Sequence, residues 1–216
     1  MTQGRVVILD LDRTICRFPA TSRIYKRLFL TPPQARYLLW GGVMLGLMHV
    51  LWFLPPAVRL QRRIVMSLFA RVDAERFRGC VDTVIGEVVE DWHQGVGRSL
   101  GALVEGADAV YIVSHCPQAL GEGVAARLGF TGARTIPVRD YLAGVPCGVY
   151  DKAEAVADIR ESYPCYEVFA FADDLVDLPL LRSADHATLL NGSAWSRLVC
   201  RLFFPAIQVD LEAVAA

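Results

Sequence analysis

The 216-residue chain is long enough for one domain, or one core domain with a modest insertion, and too short for a multidomain array. Apolar residues make up 54% and charged residues 21%, which supports a large buried core and excludes global disorder. With a net charge of -1 and a mean hydropathy of +0.35, the composition gives no reason to expect a nucleic-acid partner.

In chain order, Arg5 to Leu11 is short, β-branched and bounded by polar residues, which predicts a buried strand. Residues 17–93 contain no comparable run and read as helical. A second strand is predicted at Ala109-Val110-Tyr111-Ile112-Val113, ending at Ser114. Pro117 to Leu128 reads as a helix, with Pro117 in its first turn and Gly129 at its C-cap. Lys152 to Glu161 reads as another helix. A third strand is predicted at Val168-Phe169-Ala170-Phe171, before Asp173, and a weaker fourth at Ala187-Thr188-Leu189-Leu190. Continuous apolar strands alternating with helices predict an α/β fold with a Rossmann-like parallel sheet. Residues 1–16 and 94–216 are assigned to this core, and residues 17–93 to an inserted helical cap.

The charge is split between these parts. Between Arg17 and Cys80 stand eleven basic residues and two acids, Asp73 and Glu75, so this stretch carries +9 and the remainder -10. Tyr37 to Val58 contains no Asp, Glu, Lys or Arg, and Pro32-Pro33 and Pro55-Pro56 bracket it. A helix between the prolines has about 21 residues and spans about 31 Å, the length of a membrane-crossing helix. A single crossing is excluded by topology, because the first strand precedes the segment and its sheet partners follow it. The segment therefore returns, lies in a lipid interface, or is buried. Arg23, Lys26, Arg27 and Arg36 on one side, and Arg59, Arg62 and Arg63 on the other, suit an anionic membrane surface. Packing inside the cap, or a homodimer contact through it, is the alternative, and His49, Trp40 and Trp52 fit either.

The six cysteines are scattered, with no CxxC and no zinc-like spacing to the histidines, which suits a reduced cytoplasmic compartment. The first apolar run, Val6 to Leu9, is too short for a secretory leader. A cytoplasmic protein is expected, peripheral at the inner face of the membrane if the apolar segment meets lipid.

The residues that carry chemistry fall at strand ends. Asp10, Asp12 and Thr14 follow the first strand; Asp173, Asp174 and Asp177 follow the third. Ligands of parallel sheets sit beyond such carboxyl ends. One Asp after a strand is an ordinary turn or cap residue. Several together repel unless a cation or a shared proton relieves them. A hard divalent ion with oxygen ligands does so, and Mg²⁺ fits a set without His or Cys.

These residues resemble the motifs of the haloacid-dehalogenase-like (HAD) superfamily of phosphotransfer enzymes. Asp10, Asp12 and Thr14 match its DxDxT. Ser114 ends its second strand, Lys152 opens the helix of its third motif, and Asp173 to Leu181 match its acidic fourth. The resemblance implies Asp10 as nucleophile, Asp12 as general acid and base, and Thr14, Ser114 and Lys152 as phosphate contacts. It implies Mg²⁺ held by Asp10, the carbonyl of Asp12 and Asp173, with Asp177 as an outer ligand or orienting Lys152. Arg13 stands where the family usually has Gly, and Ala172 where Gly is common. Asp177-Leu178-Pro179-Leu180-Leu181 and Ala125 to Phe130 resemble the phosphoserine-phosphatase-like branch, which includes phosphatidylglycerophosphatases. Cys16 to Arg23 lacks the acid with which serine-specific members grip the substrate amine, so phosphoserine is not the expected substrate. The expectation is a Mg²⁺-dependent phosphomonoesterase acting on an amphipathic or lipid phosphate. The alternatives are a soluble-metabolite phosphatase with a buried cap helix and a catalytically idle binding module. His115, beside Ser114, is placed near the phosphate.

Overall fold

A computed structural model describes residues 4–29, 68–137 and 151–209. The Tyr37–Val58 segment and its prolines lie outside the described residues, as does Cys147. The five described cysteines are free thiols.

Six parallel strands form one sheet in the order β3-β2-β1-β4-β5-β6. They are β1 (Arg5–Leu9), β2 (Ala109–Pro117), β3 (Gly132–Ile136), β4 (Glu167–Ala172), β5 (His186–Leu189) and β6 (Ile207–Val209). The chain runs outward from β1 to β3, then returns and runs outward again from β4. The reversal lies between β1 and β4, where open parallel sheets bind their ligands. In chain order the helices are α1 (Ala20–Phe29), α2 (Ala74–Gln94), α3 (Val96–Glu105), α4 (Gln118–Leu128), α5 (Lys152–Ser162), α6 (Leu178–Arg182) and α7 (Ala194–Phe203).

The period of two along the strands divides the core. Val7, Leu9, Val110, Ile112 and Phe171 face one side with α1 to α4; Val6, Ile8, Tyr111, Val113, Val168 and Ala170 face the other with α5, α6 and β6. Val81, Val84, Ile85, Val88 and Trp92 form the inner stripe of α2, and Ile24, Tyr25, Leu28 and Phe29 that of α1. Both helices share the cluster that covers the first sheet face.

The four predicted strands are present, with shifted ends. β1 stops at Leu9, two residues short of the predicted end, because the chain turns over Leu11 to Cys16, where the Ile15 and Cys16 N–H groups return to the Leu11 carbonyl. β2 runs on to Pro117, which becomes the N-cap of α4 instead of lying in its first turn. Gly129 ends α4 at φ +71°, a left-handed C-cap that glycine adopts without strain.

Across the α1–α2 contact, Glu87 pairs with Arg23 at 2.8 Å and also with Arg27. The hydrogen bond from Arg27 leads in holding the Glu87 carboxyl below its ordinary range. A depressed carboxyl stabilises the fold above its unfolded pKa, and that contribution is lost as pH falls through the folded value. Glu87→Gln is therefore expected to lower stability by about 1 kcal/mol at neutral pH, a modest figure because these groups are partly solvated. Urea unfolding at pH 7 and at pH 4 checks this, and the difference between wild type and variant shrinks at the lower pH.

Candidate active site

β1 and β4 are paired neighbours, with Leu9 opposite Phe171. Asp10 follows the end of one strand and Asp173 the end of the other, so their carboxylates emerge side by side. The Asp10 N–H still donates to the Phe171 carbonyl at 2.9 Å, which holds the two chain ends together as they leave the sheet. Asp177 arrives from the helical turn Leu175–Asp177, and Lys152 from the first turn of α5. Asp151 caps that helix by accepting the Ala153 N–H at 2.8 Å.

Lys152 Nζ lies 2.5 Å from Asp10 Oδ1 and 2.6 Å from Asp177 Oδ1, and all three side chains are buried. Oxygens of Asp10, Asp173 and Asp177 lie within 4.8 Å of one another. Asp12 stands outside this trio, and its Oδ1 accepts the Ala20 N–H at 2.7 Å at the start of α1. The Thr14 hydroxyl is buried with no hydrogen-bond partner, an orphaned donor that a ligand oxygen could satisfy. Ser114 is also buried. Asp174 is a cap: its Oδ1 accepts the Leu175 N–H at 2.5 Å.

Four carboxylates crowd around one ammonium. Burial, then the charge of Asp10, pushes Asp12 up to about 7. Burial, then Asp10 and Asp177, pushes Asp173 up to about 8. Burial raises Asp177 to about 6, with Lys152 pulling the other way. Burial disfavours the Lys152 charge, but Asp10 and Asp177 overcome it and hold the ammonium above its ordinary value. The site therefore lacks positive charge. An all-oxygen trio of buried carboxylates fits a hard dication such as Mg²⁺, which would relieve their repulsion.

Arg13 is left-handed at φ 58°, which explains why this position favours glycine. Its side chain is 58% exposed, with Nη1 4.0 Å from Asp173 Oδ2. Its carbonyl accepts the Asn191 Nδ2 at 3.1 Å, and Asn191 is itself left-handed at φ 53°. Among the described residues these are the two non-glycine residues with positive φ. Asn191 escaped the sequence reading, although Asn191-Gly192 after the fourth predicted strand is a turn signal that could have found it.

The chain matches the haloacid dehalogenase-like hydrolase family over residues 7–182, a span that holds every one of these residues except Asn191. The chain belongs to this family. The family fold is the α/β parallel sheet described above, with helices on both faces. A protein of unknown function from Bordetella pertussis Tohama I aligns with TM-score 0.70 at 15% identity, over 96% of this chain and 98% of its own. Phosphoserine phosphatase, as its phospho-aspartyl intermediate analogue, aligns with TM-score 0.58 at 11% identity, over 99% and 95%. A HAD family hydrolase from Salmonella enterica serovar Typhi aligns with TM-score 0.52 at 14% identity, over 91% of this chain and 66% of its own. At such identities the likeness is one of fold. A comparison with curated protein sequences finds no match.

Proposed function

We propose that this family member is a Mg²⁺-dependent phosphomonoester phosphatase working through an aspartyl-phosphate on Asp10. The observation that carries the reading is the buried set of Asp10, Asp173 and Asp177 around Lys152 at the ends of β1 and β4. The phosphoserine phosphatases of similar fold support it.

In this reading an Asp10 carboxylate oxygen attacks phosphorus and forms a new P–O bond. The bond to the leaving alcohol breaks, and Asp12 donates its proton to that oxygen. The raised pKa of Asp12 suits a group that must hold a proton near neutral pH. Asp12 then takes a proton from water as the water oxygen attacks the phosphoryl group, which frees phosphate and restores Asp10. Thr14 and Ser114 hold phosphoryl oxygens. Lys152 offsets the charge that builds between Asp10 and the phosphoryl group. Asp10, the Asp12 carbonyl and Asp173 would hold Mg²⁺, with Asp177 orienting Lys152. When bound, the ion supplies positive charge against the phosphoryl oxygens.

Residues 1–16 and 94–216 are assigned to the catalytic core and 17–93 to the inserted cap, whose helices α1 and α2 pack onto the first face of the core sheet. The uncharged Tyr37–Val58 stretch and its basic flanks support an amphipathic or lipid phosphate as substrate, met at an anionic membrane face. A screen of soluble and lipid phosphate esters, with and without detergent, tests the class. Chelation by EDTA is expected to abolish phosphate release from an active ester, and Mg²⁺ to restore it. Full activity after exhaustive chelation overturns the metal assignment; no release from any ester overturns the reaction.

A further inference from the structure

We propose that the outer face of α7 is a docking surface for an anionic lipid bilayer. The helix turns only a narrow side inward, where Ser196 and Cys200, four residues apart, are buried. Its apolar residues point outward: Trp195 is 65% exposed, Leu198 48%, Leu202 65% and Phe203 70%. They stand at i, i+3, i+7 and i+8, which places them along one stripe. Among the described residues the exposed large hydrophobics are these four and Val176. Scattered exposed apolar residues are ordinary, but a contiguous stripe marks a surface with a partner.

The charge of the helix says which partner. Arg197 and Arg201 flank the stripe one turn apart, and α7 carries no Asp or Glu. A second copy of this face across a two-fold axis would set arginine against arginine, with no carboxylate on either helix to meet them. An anionic bilayer supplies the missing charge, while its acyl boundary takes the Trp, Leu and Phe side chains. At ten residues the helix is about 15 Å long, too short to cross a bilayer and suited to lying on one. Among the described residues no helix is long and apolar enough to cross a membrane.

The position of α7 ties docking to the site. Its first turn lies at the carboxyl end of the sheet, beside the acids. Ser196 Oγ lies 3.5 Å from Asp174 Oδ1, and a Cβ on Gly192 would come within 3.3 Å of the Asp173 carbonyl. Trp195 therefore sits at the same end of the sheet as the Asp10–Asp173 cluster. The docking face rests on the helix alone and not on the phosphatase reading.

The test uses the full chain with neutral phosphatidylcholine vesicles and with vesicles containing anionic phosphatidylglycerol. Wild type is expected to co-sediment with the anionic vesicles, less so at high salt. Brominated lipids are expected to quench its tryptophan emission, and Trp195→Phe to reduce that quenching. Leu198→Asp with Leu202→Asp is expected to lower the partition coefficient about tenfold or more, since both leucines leave an apolar environment. Arg197→Gln with Arg201→Gln is expected to remove most of the salt-sensitive part, because each arginine contributes on the order of a fivefold factor. Circular dichroism checks the folding of each variant, and phosphate release from a water-soluble ester reports the reaction separately. Wild type that ignores anionic vesicles overturns the proposal, as does a pair of folded variants that bind like wild type. A dimer that dissociates in the leucine variant, without vesicle binding by wild type, assigns the face to a second copy and also overturns it. A leucine variant that unfolds, together with an arginine variant that binds like wild type, assigns the face to internal packing and overturns it as well.

Discussion

Asp10→Asn is expected to abolish phosphate release, by about four orders of magnitude or more, while the protein stays folded. Asparagine keeps the shape of the side chain but lacks the anionic oxygen that would attack phosphorus. The site loses one of four crowded carboxylates, and Lys152 keeps its 2.6 Å contact with Asp177. The metal-free variant is therefore expected to unfold at a temperature no lower than metal-free wild type, and to gain less stability when Mg²⁺ is added. Phosphate release under saturating substrate and thermal unfolding with and without Mg²⁺ are the measurements. Turnover near wild type would remove Asp10 from the role of nucleophile. Loss of both turnover and fold would make it a structural residue first.

Lys152→Met is expected to damage both activity and stability. It removes the ammonium that lies against two buried carboxylates and leaves them uncompensated, which costs about 3–5 kcal/mol when one partner of a buried pair is deleted. Turnover is expected to fall by about 10² to 10³, the range seen when one group that stabilises transition-state charge is lost. Adding Asp177→Asn to Lys152→Met removes one of the orphaned charges. The double variant is expected to regain about half of the lost stability and none of the lost activity. Non-additive stability with unrestored turnover separates a charge-balancing role in the fold from a role at the phosphoryl group. Urea unfolding of the three variants and steady-state kinetics decide between them. A Lys152→Met protein as stable and active as wild type would show that the ion pairs with Asp10 and Asp177 carry neither function.

The sequence was enough to identify the parallel α/β class and the central strands. β1, β2 and β4 are buried on both faces, so their apolar runs stand out against turns and acids. The edge strands were not legible. Gly132–Ile136 contains Gly and Arg, and Ile207–Val209 is three residues long; an edge strand pairs on one side only and needs less apolar content. The outward stripe of α7 was equally hidden, because helical spacing of Trp195, Leu198, Leu202 and Phe203 reads the same whether the face is buried or exposed.

For the site, the sequence pointed to Asp10, Asp12, Thr14, Ser114, Asp173 and Asp177, because acids and hydroxyls placed straight after buried strands must emerge at one end of a parallel sheet, whereas Lys152, which opens a helix, was named only through the resemblance to the HAD motifs. Spacing along the chain could not say which of them meet. Pairing of β1 with β4 brings Asp10 beside Asp173, and the start of α5 carries Lys152 across 142 positions to reach Asp10. Of the adjacent acids, the resemblance already favoured Asp173 through its spacing to Asp177, and the tertiary structure adds the reason: Asp173 joins the carboxylate trio while Asp174 caps the next turn. The tertiary structure also turns Asp12 away from the trio toward the first turn of α1, where burial and the field of Asp10 leave its proton held near neutral pH. Identity at each position is local information. Charge balance among buried groups depends on distances that only the packed sheet sets.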